Sequence, residues 1–442
     1  MKMTRRIAVL LIPCLARGIF AQGPVTPTSG DTALHPISLE EAIRLAQRNA
    51  PAAVQARGQL RTTSASVRSA YGAFVPSLTA TMGQTQRSGK TAGPGGQVIT
   101  TQPWQYSTGL STNLTLFDGT RRFADLRARR ADVDAAEANE TAQQFNIALQ
   151  VKTQYANILA ARESESAAKA QLEQAQQQLA AASARVRAGA ATKSDSLRSI
   201  IQVGNARLAL LTAQNNVRVA SATLTRLVAT PFFVTAAAAD TLELPIAPVD
   251  SAELTQLAVH GPAVEQAEAQ MTSASASVRA ARSSYFPTIN LSYSYSGNGQ
   301  DSFYGLGTRQ FDYGSNLGIT LRFPVFDNFA REENIARSRV AEDNAEAALR
   351  DARLGAQQQI IQQLGALRTA EERIRIQQAS VLSAEEDLRV QQQRYGLGAS
   401  TLLDLLTSQT TLDQQRAALI QARQDYRIAR AQIEAVIGRD LR

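Results

Sequence analysis

The chain has 442 residues, more than one ordinary core organises. Aromatic residues make up only 5% of it while Ala, Gln and Arg are abundant, which excludes a thick globular core and favours long helices. The formal charge of +8 includes Lys2, Arg5, Arg6 and Arg17, so residues 22–442 carry +4. The remaining Arg and Glu alternate along helical stretches, a solvated-face pattern that excludes a nucleic-acid patch.

Enzymatic chemistry finds no foothold in the sequence. His35 and His260 are the only histidines, and HExxH, a Cys pair, a Gly-rich phosphate loop and GxSxG are all missing. No catalytic, cofactor-binding or metal-ligating residue is assigned, and no cofactor is expected.

The N-terminus reads as a secretory signal over residues 1–21: Lys2, Arg5 and Arg6 precede the apolar run Ile7 to Ile12, and Ala21 is a small residue at the cleavage point. The single cysteine, Cys14, lies inside it, so the exported chain has no disulfide. A lipoprotein reading of Cys14 meets Pro13 where Gly or Ala is usual. Beyond the signal no apolar run reaches about 18 residues, so any membrane span must be β.

The first helix is predicted from about Leu39 to Ala73, with Ser38 as N-cap and Glu41 three residues on, a capping box. It stops before Pro76, where a helix cannot easily continue. Two strands follow, at about 75–86 and 104–117. Leu78, Ala80 and Met82 alternate with Thr79, Thr81 and Gly83; Tyr106, Leu110, Leu114 and Leu116 alternate with Ser107, Ser111, Asn113 and Thr115. Gln84 to Pro103 between them is a polar hairpin tip.

From about 125 to 188 no Gly or Pro intervenes, which gives a helix of about 96 Å at 1.5 Å per residue. Its stripe Ala168, Leu172, Ala175, Leu179, Ala182, Val186 has heptad spacing. After a break at Gly189 the spacing resumes at Leu197, Ile201, Gly204, Leu208 and Leu211 in a helix over 195–228. Thr230 to Val249, with three prolines and no stripe, reads as a linker.

The second half, 250–442, restates the first, 22–229. Pro51 to Pro76 matches Pro262 to Pro287 at an offset of 211, and Phe117-Asp118, Gly189 and Asp195 match Phe326-Asp327, Gly398 and Asp404 at 209. A helix from near Ser251 leads to strands at 287–297 and 313–324, joined by the loop Gly297 to Gln310. Helices at 330–395 and 402–437 follow, the last with Leu405, Leu412, Leu419, Tyr426 and Ile433 every seven residues. Gly at each break can take the left-handed C′ conformation, and the Ser or Thr that follows can cap the next helix.

Ten-residue strands with one apolar and one small polar face suit a water-filled barrel in a bilayer, and aromatics such as Trp104, Tyr106, Phe286 and Phe323 cluster at their ends. Four strands cannot close a barrel. Two chains would give eight strands around a filled lumen and three would give twelve around an open one; the Ser, Thr, Asn and Gly faces favour a homotrimer. The expected fold is thus membrane α+β: four transmembrane strands per chain, a 12-stranded barrel in the trimer, a long coiled-coil helical barrel, and two internal repeats.

The duplicated Ser-Tyr-Phe-Pro-type entry to the strands (Ser284, Tyr285, Phe286, Pro287), the Phe-Asp after each hairpin, and Arg394-Tyr395 leading through Gly398 to Leu403-Asp404 come in an order that resembles the TolC-like outer membrane efflux protein family over nearly the whole exported chain. The resemblance implies a trimer in outer-membrane lipid with a tunnel across the periplasm. It also implies docking through a periplasmic adaptor onto an inner-membrane pump, and export of small molecules, metal ions or proteins.

By position it further implies a periplasmic gate at the turns of Gly189 and Gly398. Asp404 would ring the threefold axis and Tyr395 would bond to Asp195. Ser400 and Thr407 stand where an Arg and a second Asp ring belong, and the first half has Arg187 beside Asp195 in place of the Tyr395–Asp404 pair. Three carboxylates near one axis would raise one another's pKa and favour cations. Asp195 and Asp404 equally suit helix N-termini, where the dipole favours negative charge. A periplasmic coiled-coil adaptor or structural protein is the rival reading, and it needs no alternating strands. A passive porin would need no such helices.

Overall fold

The computed structural model describes residues 34–86, 90–92, 98–100, 104–189, 191–237, 251–301 and 312–441. The signal at 1–21, Cys14, and parts of both hairpin tips and of the linker lie outside these residues.

The described chain begins with β1 (His35–Ile37), α1 (Leu39–Asn49), α2 (Pro51–Gly72) and β2 (Ser77–Gln86). Next come the short pair β3 (Lys90–Ala92) and β4 (Val98–Thr100), then β5 (Trp104–Phe117), α3 (Arg121–Arg187), α4 (Lys193–Val228) and β6 (Val234–Ala236). The second half runs through α5 (Ser251–Ala258), α6 (Pro262–Arg282), a 3₁₀ turn, β7 (Thr288–Asp301), β8 (Asp312–Arg322), α7 (Ala330–Gly396) and α8 (Leu402–Ile437). The long helices of the two halves have equal lengths, 67 residues for α3 and α7 and 36 for α4 and α8. Among the described residues no helix is long and apolar enough to cross a membrane.

Three expectations need correction. The helix expected from Leu39 to Ala73 is two helices, because Ala50 leaves helical ψ ahead of Pro51, which then opens α2 at its first position, and the helix expected from near Ser251 divides likewise into α5 and α6 ahead of Pro262. The linker contains a strand: β6 pairs in parallel with β1, a partner some 200 residues away that no local pattern announces. The second hairpin's first strand runs on to Asp301. Tyr155, 1% exposed, ties the small β1–β6 sheet to α3: its hydroxyl donates to Ile37 O (3.0 Å) and accepts from Ala237 N (2.9 Å). Ile37, Val151, Ile158, Leu224 and Val234 pack around it.

The large sheet has the order β2-β5-β7-β8, antiparallel throughout. Its register sets like against like. Ala80 faces Leu110, Leu110 faces Tyr295, Leu291 faces Ile319 and Ile289 faces Leu321, while Thr79 faces Ser111 and Ser111 faces Ser294. One face of the sheet is therefore apolar and the other small and polar. Leu78, Met82, Leu317, Ile319 and Leu321 are exposed on the outer strands, and among the described residues the outward edges of β2 and β8 have no strand beside them. A bulge at Leu116 shifts the register and sets Phe117 opposite Ile289.

Where each hairpin re-enters the helices, the repeated Phe-Asp has a structural role. Asp118 pairs with Arg122 at 3.1 Å and Asp327 with Arg331 at 2.9 Å, and each guanidinium lies 5.1 Å from an aromatic ring, of Phe74 or Tyr285.

Candidate functional site: the helical row and its tip

Below the sheet the long helices pack in the row α4, α3, α8, α7. The inner seam of this row, between α3 and α8, is polar. Lys152 Nζ donates to Glu434 (2.7 Å) and Asp440 (2.5 Å), Gln424 to Asn157 (2.6 Å), Arg427 to Glu163 (3.4 Å) and Gln171 to Asp413 (2.7 Å). Burial would lower the pKa of Lys152, but the hydrogen bonds to Asp440 and Glu434 outweigh it and hold the ammonium above its ordinary value.

Asp413 goes the other way. Burial is the largest influence and raises its pKa above the usual carboxylate range, with Arg416 and Gln171 compensating only in part. A raised carboxyl favours folding below its unfolded pKa, and that contribution is lost as pH rises through the folded value. Asp413→Asn keeps an acceptor for Gln171 and removes the buried charge. At pH 7 it should raise the melting temperature by about 2 °C, and the gain should vanish near pH 3.5 in a thermal-melt series.

The outward faces of the row's end helices differ from the expected packing. In α4 the residues buried against α3 are small or set above the stripe, namely Ser199, Ala206, Ala213 and Val217, whereas Leu197, Ile201, Leu208 and Leu211 are all more than half exposed. Small residues let α3 and α4 approach closely and leave the Leu/Ile stripe unused within the chain. On α7, Leu354, Ile361, Ile376 and Leu382 are likewise exposed, as is Leu397 just past its end. In α8, by contrast, Leu405, Leu412, Tyr426 and Ile433 are buried.

At the tip, Gly189 and Gly398 take φ of 74° and 76° and end α3 and α7 in the left-handed conformation. Each following helix opens with a capping box. Asp195 Oδ2 accepts from Thr192 N (3.1 Å) and Thr192 Oγ1 (2.9 Å). Asp404 Oδ2 accepts from Thr401 Oγ1 (2.7 Å), Thr401 N (3.0 Å) and Ser400 Oγ (3.1 Å). Those bonds, from the Thr401 side chain first, then its backbone and then Ser400, hold the Asp404 carboxyl below the usual aspartate range.

A depressed carboxyl contributes stability above its unfolded pKa, and the contribution is lost as pH falls through the folded value. Amide exchange in the first turn of α8 should stay slow down to about pH 4 and speed up below it. Asp404→Asn should remove that step.

The bond that the resemblance implies between Tyr395 and Asp195 is not made. Among the described residues Tyr395 Oη has no hydrogen-bond partner, and Asp195 is engaged by Thr192 on its own hairpin. Thr407 donates to Leu403 O within α8. What joins the two hairpins at the tip is a residue the sequence did not single out, Arg185. Its Nη1 donates to Tyr395 O (2.8 Å), its Nη2 donates to Gly396 O (3.0 Å), and its guanidinium lies 4.7 Å from the Tyr395 ring centroid. It thereby caps the C-terminus of α7 from α3.

Between the Gln171–Asp413 level and this latch, Gln178 Nε2 and both amide atoms of Gln409 are buried without partners. The polar groups of the seam are therefore paired above and unpaired below.

This architecture has known counterparts. A model of the outer membrane efflux protein family matches residues 42–230 and 254–439. Protein CyaE of Bordetella pertussis is 30% identical over 395 residues, 85% of this chain and 79% of that protein. The pyoverdine export outer membrane protein OpmQ of Pseudomonas aeruginosa is 26% identical over 373 residues, 83% and 77% of the respective chains. The open state of the Neisseria gonorrhoeae MtrE outer membrane channel superposes with a TM-score of 0.74 at 20% identity, over 91% of this chain and 89% of that one. With both halves matched by the family, in a fold shared with outer membrane channels, this chain belongs to the outer membrane efflux proteins and its place is the outer membrane.

Proposed function

We propose that three copies of this chain form an exit duct through the outer membrane for a tripartite pump or a type I secretion system. The observation that carries this reading is the pair of unfinished boundaries on each side of the chain. Sheet edges β2 and β8 lack neighbours, and the apolar stripes of α4 and α7 end the helical row in solvent. Setting β8 of one copy beside β2 of the next closes a 12-stranded barrel, and the same operation buries α4 against α7. The threefold arrangement satisfies both boundaries at once.

In this reading the helical body crosses the periplasm to meet an adaptor and an inner-membrane pump. The turns at Gly189 and Gly398 form the gate, with Asp195, Tyr395 and Asp404 nearest the axis. OpmQ's name supports a small-molecule cargo. Leu208→Asp with Ile361→Asp tests the assembly, since a charge on each stripe should leave the chain folded, by its circular dichroism, but monomeric in detergent and silent in a planar bilayer. A trimer with wild-type conductance would overturn the proposal.

A further inference from the structure

We propose that neighbouring copies of this chain pack in one fixed register, in which Glu372 of each copy pairs with Arg218 of the next. The inference rests on the reading that the copies assemble side by side. The two halves of the chain are built alike: α2 packs on α3 as α6 packs on α7, and α3 pairs with α4 as α7 pairs with α8. The halves join where α3 meets α6 and α8. The counterpart of that joint, a packing of α7 against α2 and α4, is not formed among the described residues. A second copy fills it, and the joint inside the chain is its template.

The offset of 209 residues between α3 and α7 holds equally between α4 and α8, so each α3–α8 contact has one image between copies. Several polar contacts lose their chemistry in the image. Lys152–Glu434 becomes Ile361–Thr225, and Gln171–Asp413 becomes Ser380–Gly204. Glu163–Arg427 keeps both charges, as Glu372–Arg218. Inside the chain this pair is 3.4 Å apart, with side chains 18% and 12% exposed. Both members of the image can be recruited. Glu372 meets Arg375 on its own helix with side chains 56% and 76% exposed, a weak pair, and Arg218 is exposed with no ion pair among the described residues.

The apolar residues agree with the same register. It sets Ile376 level with Leu208 and Leu211, and Leu382 level with Ile201, all of them exposed in the single chain. A stripe of this kind buries area without fixing position, because a slip of one heptad again sets apolar residues against apolar ones. A charged pair that meets in one register only supplies the discrimination. At the tip the image of Arg185 is Arg394, also exposed. The register brings it to the Val186 and Arg187 carbonyls that end α3 of the next copy, as Arg185 meets those of Tyr395 and Gly396 within the chain.

The test uses the full-length protein extracted from outer membranes in detergent, and its mass by light scattering comes first: single chains would overturn the assembly and the register together. In the assembled protein, Glu372→Arg sets like charges together and should lower the temperature at which the chains separate by about 5 °C. Arg218→Glu should do the same. Glu372→Arg with Arg218→Glu should restore the wild-type temperature, whereas Glu372→Arg with Arg207→Glu, about 16 Å away along α4, should not. No fall in the single variants, no recovery in the paired reversal, or equal recovery with Arg207→Glu would each overturn the register and leave the assembly standing. Should the reversals not assemble, cysteines replace them, since residues 22–442 contain none. Glu372→Cys with Arg218→Cys, treated with a short bismaleimide, should give linked chains that survive boiling. No linked chains, or equal linkage with Glu372→Cys and Arg207→Cys, overturns the register.

Discussion

Arg185→Ala should increase the open probability of the channel in a planar bilayer about 30-fold. The substitution removes two charge-assisted hydrogen bonds and a cation–π contact that together bind the end of α7 to α3. For a partly exposed contact this amounts to about 2 kcal/mol, and about 1.4 kcal/mol is tenfold in an equilibrium. Nothing else among the described residues bridges the hairpins so near the tip, and the seam above it has buried amides at Gln178 and Gln409 that gain partners only by moving. Arg185→Lys retains the charge but not the fork, so its conductance should fall between alanine and wild type. Fusion of both variants with the wild-type trace would show that the latch does not hold the closed state.

Tyr155→Ala should destabilise the chain by about 4 kcal/mol in urea unfolding, the range seen when a large buried aromatic is deleted. The ring is almost fully buried, and its hydroxyl bonds both β1 and the residue following β6. Tyr155→Phe separates the two contributions. It should cost about 1.5 kcal/mol, the loss of hydrogen bonds at buried backbone groups with packing retained. Equal losses for the two variants would put all the weight on the hydroxyl and contradict the packing account.

The sequence made the sheet readable because each strand alternates on its own. Apolar Leu291 and Ile319 could be assigned to one face before their pairing was known, and the register sets them opposite. The bulge at Leu116 stayed hidden, since an extra residue is visible only against a partner strand. Pro51 was the overlooked signal: proline is favoured at a first helical turn, so it marked a new helix where a continuous one was read. The strand β6 was lost because three residues carry no period and its partner is far away in sequence.

At the tip, Gly189 and Gly398 were legible because the left-handed conformation selects glycine. The capping carboxylates Asp195 and Asp404 were legible by their spacing from Thr192 and Thr401. Arg185 was not. A basic residue in the last turn of a long helix ordinarily serves its own carbonyls, and here it serves those of another hairpin. The stripe of α4 was read as a seam within its own hairpin, but it lies exposed, and only the proposed assembly gives it a partner. Heptads record that a helix packs, without recording on which chain.

The proposed threefold assembly places the partner of α4 on a neighbouring copy. The mass of the protein extracted from the outer membrane, measured by light scattering in detergent before and after heating, tests it most directly. The account predicts three copies of the chain that separate into single chains on boiling, and a monomer recovered from the soluble periplasmic fraction would contradict it.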